Sequence, residues 1–173
     1  KQLFKKAEDK ASDSSDLLSL AESIYKNFKD KKWAVSLYTK AENNAQSSRD
    51  FCSLADSLYK NLNDTKWAFG LYKKAEERAK TSCELRDLAD DVCFNFGDLG
   101  WAKNLYTKSE EEANSFYEFR RLAECLFKNL DDKKWAREIY KKAGSKAIYT
   151  SEFNCLTSSV HKNLKEEISY ILV

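Results

Sequence analysis

Asp64-Thr65-Lys66-Trp67-Ala68-Phe69-Gly70-Leu71-Tyr72-Lys73-Lys74-Ala75 is the stretch that decides the fold, because its main positions return at a fixed interval along the chain. Trp33, Trp67, Trp101 and Trp135 stand 34 residues apart, and each is followed by an alanine: Ala34, Ala68, Ala102 and Ala136. Four residues beyond each alanine comes Tyr38, Tyr72, Tyr106 or Tyr140, and three further on Ala41, Ala75, Ser109 or Ala143. Positions i, i+4 and i+7 share one side of an α-helix, so each segment reads as a helix with a single buried stripe. We call it helix B. A period of this length marks an array of supersecondary units, each burying its apolar face against the next. The tryptophans and tyrosines fall on the inner stripe beside small alanines, so all four tryptophans are expected to be largely buried core.

Upstream of each tryptophan lies a second stripe, helix A. In one unit it is Phe51, Leu54, Ala55, Leu58 and Leu62; in the next it is Leu85, Leu88, Ala89, Val92 and Phe96. Asn27, Asn61, Asn95, Asn129 and Asn163 recur between the helices, with Asp30, Asp64, Asp98 and Asp132 three residues later. Asparagine tolerates the left-handed conformation that ends a helix, and aspartate accepts the free N–H groups that begin one. Ser47/Asp50, Thr81/Glu84 and Ser115/Glu118 have capping-box spacing at the start of helix A, and Asp13/Asp16 take that place in the first unit. The units run 13–46, 47–80, 81–114 and 115–148. Residues 1–12 match only a helix B, through Leu3, Phe4, Ala7 and Ala11, and 149–173 form a degenerate last unit. That unit keeps Phe153, Leu156, Val160 and Leu164, has Ser169 and Tyr170 where the Trp-Ala pair belongs, and ends Ile168 to Val173.

These residues resemble the tetratricopeptide (TPR) repeat. Its pattern W-x2-L-G-x2-Y followed by A-x3-F is matched by Phe51-x2-Leu54-Ala55-x2-Leu58 and then Ala68-x3-Tyr72. Helix A or its turn carries one extra residue, the turn between repeats one fewer, and the closing proline is absent, with Lys80 and Asn114 near its place. The resemblance covers residues 1 to 164. It implies an all-α, right-handed α-solenoid of antiparallel helix pairs, a single array over 1–173, with a concave groove built from outward positions of helix A.

Composition agrees with the all-α reading. With no proline and four glycines, few positions can break a helix or make the tight turns of a many-stranded sheet. Thirty Lys and Arg against 28 Asp and Glu leave a formal charge of +2, so no global field draws the chain to nucleic acid or an anionic membrane. Apolar runs fall far short of the roughly 18 residues a membrane-spanning helix needs. Cys52, Cys83, Cys93, Cys125 and Cys155 are odd in number and no two share a place in the repeat, so they read as reduced thiols and favour a cytoplasmic setting. No cysteine or histidine pair has metal-ligand spacing, and no metal or other cofactor is expected.

Catalysis needs convergent groups, and the single histidine, His161, has no acid, serine or cysteine adjacent in sequence. The expectation is a non-enzymatic module. On the groove that the resemblance implies, one row is acidic: Glu22, Asp56, Asp90 and Glu124. The next is mostly aromatic: Tyr25, Tyr59, Cys93, Phe127 and finally His161. Beside it run Lys26, Lys60, Phe94, Lys128 and Lys162. Arg86, Arg120 and Arg121 add a local basic cluster. The asparagine-plus-lysine clamp with which some TPR domains hold a terminal carboxylate is not reproduced, since acids occupy its asparagine row. The expected partner is a protein or peptide, a partner helix included, bound through Tyr25, Tyr59, Phe94, Phe127, Arg86, Arg120, Arg121, Lys60, Lys128, Asp56, Asp90 and Glu124. The alternative is a structural scaffold, a monomer or weak homo-oligomer self-associating through its terminal repeats.

Overall fold

The computed structural model describes residues 2–165 of the chain, and within them every regular element is helical. Ten α-helices follow one another: α1 (Gln2–Glu8), α2 (Ser14–Phe28), α3 (Lys31–Asn44), α4 (Ser48–Ser57), α5 (Thr65–Arg78), α6 (Ser82–Phe96), α7 (Leu99–Glu112), α8 (Phe116–Leu130), α9 (Lys133–Lys146) and α10 (Thr150–Leu164). A π-helical turn, Leu58–Leu62, extends α4. The expected tail contact of Ile168 to Val173, with Ser169 and Tyr170, lies outside the described residues. The chain divides after Ala79 into two compact units, one residue before a repeat boundary.

Helices α2 to α9 begin where the sequence places a cap. The side chains of Asp30, Asp64, Asp98 and Asp132 accept the backbone N–H of Trp33, Trp67, Trp101 and Trp135 at 3.2, 3.0, 2.9 and 3.0 Å. Capping boxes close at Ser47/Asp50, Thr81/Glu84 and Ser115/Glu118. Burial pushes the Asp50 and Glu118 carboxyls up, but the N–H groups they accept outweigh it and hold both below their ordinary values.

The first unit pairs α2 with α3 and α4 with α5, and α4 also packs on α2 and α3. Its core is the two stripes together: Leu17, Leu20, Ala21 and Ile24 of α2 against Ala34, Leu37, Tyr38 and Ala41 of α3, with the equivalent set following in α4 and α5. The second unit pairs α6 with α7 and α8 with α9; α8 lies between α6 and α10, and α10 packs on α9. Tyr38, Tyr72, Tyr106 and Tyr140 are completely buried, so the tyrosine column is the centre of the core. Where serine replaces alanine, at Ser109, its hydroxyl donates to the Ser82 carbonyl at 2.8 Å and meets the Ser82 hydroxyl at 3.0 Å, as burial of a polar group demands.

Several expectations are corrected. Trp101 is buried, but Trp33, Trp67 and Trp135 are half-buried. They sit in the first turn of helix B, where the apolar sandwich thins out, and each indole N–H donates to a glutamate of the preceding helix B. Trp33 reaches Glu8 at 2.8 Å, Trp67 reaches Glu42 at 2.7 Å and Trp135 reaches Glu110 at 2.7 Å. The other oxygen of each carboxylate takes a lysine seven residues past the tryptophan: Lys40 at 2.5 Å, Lys74 at 2.6 Å and Lys142 at 2.5 Å. The asparagine column does not end helix A. The left-handed residue comes two positions later, at Lys29, Asn63, Gly97, Asp131 and Lys165. Asn61, Asn129 and Asn163 instead donate to the hydroxyls of Tyr38, Tyr106 and Tyr140, 23 residues back, at 3.4, 2.8 and 2.7 Å. Helix α1 buries none of its stripe: Leu3 and Ala7 are exposed, and it docks only through Phe4, edge-on to Phe28, and Glu8. Among the described residues no helix A precedes it to cover that stripe. Phe153, expected in the core, is 37% exposed.

Candidate binding surface

The outward residues of helix A gather at a cleft in each unit. In the first, α2 supplies Leu18, Glu22, Ser23, Tyr25, Lys26 and Lys29, and α4 with its π-turn supplies Ser53, Asp56, Ser57, Lys60 and Asn61, around about 730 Å3. The aromatic wall is Tyr25, with the Lys29 ammonium 5.3 Å from its ring centre. Lys60 bonds Asp56 one turn away at 3.0 Å, and the Tyr72 hydroxyl donates to the other Asp56 oxygen.

In the second unit, Asp90 of α6, Arg120, Arg121, Glu124, Cys125 and Lys128 of α8, and Ser158, Ser159, Lys162 and Asn163 of α10 surround about 570 Å3. Three consecutive A helices thus contribute one wall each, because positions 34 residues apart fall in the same register. The acids here are already engaged. Asp90 accepts the Tyr106 hydroxyl at 2.5 Å, the Asn129 amide at 2.8 Å and the Cys125 thiol at 3.3 Å. Glu124 takes Arg120 and the Ser159 hydroxyl, the latter at 2.9 Å, on one oxygen and Arg121 at 3.2 Å on the other. Burial and the Asp90 charge push the Cys125 thiol up to about 12, so at neutral pH it is a small uncharged wall residue and no nucleophile. Burial drives the Tyr106 phenol upward as well, reinforced by its bond to Asp90.

Of the sequence-expected residues, Tyr25, Asp56 and Lys60 meet at the first cleft, and Asp90, Arg120, Arg121, Glu124 and Lys128 at the second. Tyr59, Phe94, Phe127 and Arg86 line neither. Arg86 is buried, with Asp87 at 2.7 Å, whereas Phe94 is 84% exposed. Tyr59 in the π-turn and Phe127 in α8 are half-buried. Sequence reading missed Ser158 and Ser159, because the last unit read as a cap. The signal was present: they lie 34 residues beyond Glu124 and Cys125, as Lys162 does beyond Lys128.

His161 is exposed on α10. Among the described residues no group of three or more His, Cys, Asp or Glu is placed to hold a metal ion, and no helix is long and apolar enough to cross a membrane. All five cysteines are free thiols. Compared with protein-family models and with curated proteins, the chain matches none.

Proposed function

We propose that the chain is a non-catalytic interaction module, a TPR-like solenoid of helix pairs whose helix A face holds a segment of a partner protein. The supporting observation is that in both units the cleft lies on outward helix A positions and combines cations, acids and hydroxyls with rigid helical backing. A surface fixed by packed helices loses little freedom on binding, so a few anchors suffice for useful affinity. Aromatic and arginine side chains carry a disproportionate share of interface energy, which puts Tyr25, Arg120 and Arg121 first.

Selection from an unbiased peptide-display library, followed by alanine variants, tests the reading. Tyr25→Ala or Arg121→Ala is expected to weaken a selected peptide by at least about 1 kcal/mol. Changes on the outer side of helix B, at Lys73 or Glu77, leave it unchanged. The reverse pattern would place binding on the helix B side and overturn the proposal.

A further inference from the structure

We propose that the cleft of the second unit takes an acidic peptide segment, a preference weaker in the first unit's cleft. This rests on the reading of the helix A face as a binding surface and specifies its ligand. Four cations, Arg120, Arg121, Lys128 and Lys162, stand around two acids, Asp90 and Glu124. Every oxygen of those two acids already holds a donor from the protein. The arginines share Glu124, while Lys128 and Lys162 are exposed and make no ion pair or hydrogen bond among the described residues. Among the described residues the positive charge left over is therefore that of the two lysines.

Their spacing favours a peptide. Lys128 and Lys162 occupy the same register on the packed helices α8 and α10, and packed helices lie roughly 8–10 Å apart. Carboxylates two or three residues apart on an extended segment, at about 3.4 Å per residue, span that distance. Ser158 beside Lys162 adds a hydroxyl at the rim. A continuous phosphate backbone fits less well, because Asp90 and Glu124 are fixed in the cleft floor and the whole chain carries only +2.

The first cleft has a smaller surplus, with Lys26, Lys29 and Lys60 against Glu22 and Asp56. Its Lys60 is spent on Asp56 and its Lys29 lies over Tyr25. Glu22 stands exposed at the wall, where it repels an incoming carboxylate.

The test is fluorescence anisotropy on the full chain with labelled octaglutamate, octaglutamine and an eight-residue oligothymidylate. Octaglutamate binds saturably and weakens as salt rises from about 50 to about 200 mM, since exposed charges are screened. Octaglutamine binds at least about tenfold more weakly. Lys128→Ala/Lys162→Ala lowers octaglutamate affinity about tenfold or more, Lys128→Arg/Lys162→Arg retains it, and Lys32→Ala on α3, outside both clefts, has no effect. All of these side chains are exposed, so the variants keep the fold. No saturable octaglutamate binding, unchanged binding in the double alanine variant, or oligothymidylate binding as tight as octaglutamate would each overturn the inference. If library peptides bind the helix A face without acidic enrichment, this inference fails and the interaction module stands. If no peptide binds that face, both fail.

Discussion

An indole at the edge of a helical sandwich does two things at once: its ring closes the end of the core and its N–H faces a carboxylate. Trp67 is half-buried with Glu42 as acceptor, whereas Trp101 is 7% exposed. Emptying a large core site costs about 3–5 kcal/mol, so Trp101→Ala should fall in that range. Trp67→Ala should cost about 2 kcal/mol, because part of its surface is never removed from water. Trp67→Phe, which keeps a ring and deletes the donor, should cost about 1 kcal/mol. Urea unfolding of the three variants checks the order, and equal losses at Trp67 and Trp101 would refute it. The stripe assignment was legible in the sequence because periodicity tells which side of a helix faces inward. It does not tell how deep the sandwich is at a given turn. The acceptor was legible in principle, since Glu8, Glu42, Glu76 and Glu110 recur at the same 34-residue interval, each 25 residues ahead of a tryptophan.

Every described helix A ends in a single left-handed residue, and for the first four it stands two positions before helix B begins. At Gly97, with φ of 63°, this is free of strain; at Lys29 (53°), Asp131 (49°) and Lys165 (56°) a side chain has been forced into it. The left-handed region costs an ordinary residue about 1–2 kcal/mol. Lys29→Gly is expected to raise stability by about 1 kcal/mol and Gly97→Ala to lower it by about 1 kcal/mol. Thermal melts of the pair would show shifts of opposite sign; shifts of the same sign would mean that the turn is set by something other than this residue. The aspartate caps and capping boxes were readable because the acceptor and its N–H lie three residues apart in one chain segment. The asparagine column was misread for the complementary reason. Its partner is a tyrosine hydroxyl 23 residues away, and no local rule connects the two. The second cleft was half-legible on the same grounds: α6 and α8 carried expected residues, but the α10 wall came from a unit whose sequence had drifted.

For the chain as a whole, the titrating groups predict a stability plateau with two edges. The bond from Lys40 holds Glu8 below its ordinary 4.5, and Asp50 and Glu118 are lowered as well. A carboxyl whose folded value lies below its unfolded one contributes stability that is fully present above the unfolded value and is lost as pH falls through the folded one. Stability should therefore decline below about pH 4. The tyrosines act oppositely. Burial raises Tyr38 above its usual 10, raises Tyr140 to about 12, and raises Tyr106 beyond that. Their contribution is fully present below the unfolded value near 10 and is lost as pH rises further. Under alkali, ionisation of these phenols should coincide with loss of helical circular dichroism above about pH 10. Full tyrosinate absorbance with the helices still intact would contradict the burial of the column.

The Trp–Glu–Lys triangle makes neighbouring repeats unequal partners. Within the two units α3, α5 and α9 each receive a carboxylate from the helix B behind them, so the exchange runs in one direction along the chain. Gly144 stands 34 residues after Glu110, where the next carboxylate would be, and Ser169, outside the described residues, stands where its tryptophan would be. Lender and borrower lapse together. Shortening the chain from its two ends is consequently not the same operation. Removing α9 returns Glu110 to water, which solvates a carboxylate well. Removing α1 strips Trp33 and Lys40 of the acceptor they share and leaves a half-buried indole N–H without its carboxylate. The short first helix, which buries no residue of its own, thus matters through the one carboxylate it supplies to Trp33 and Lys40.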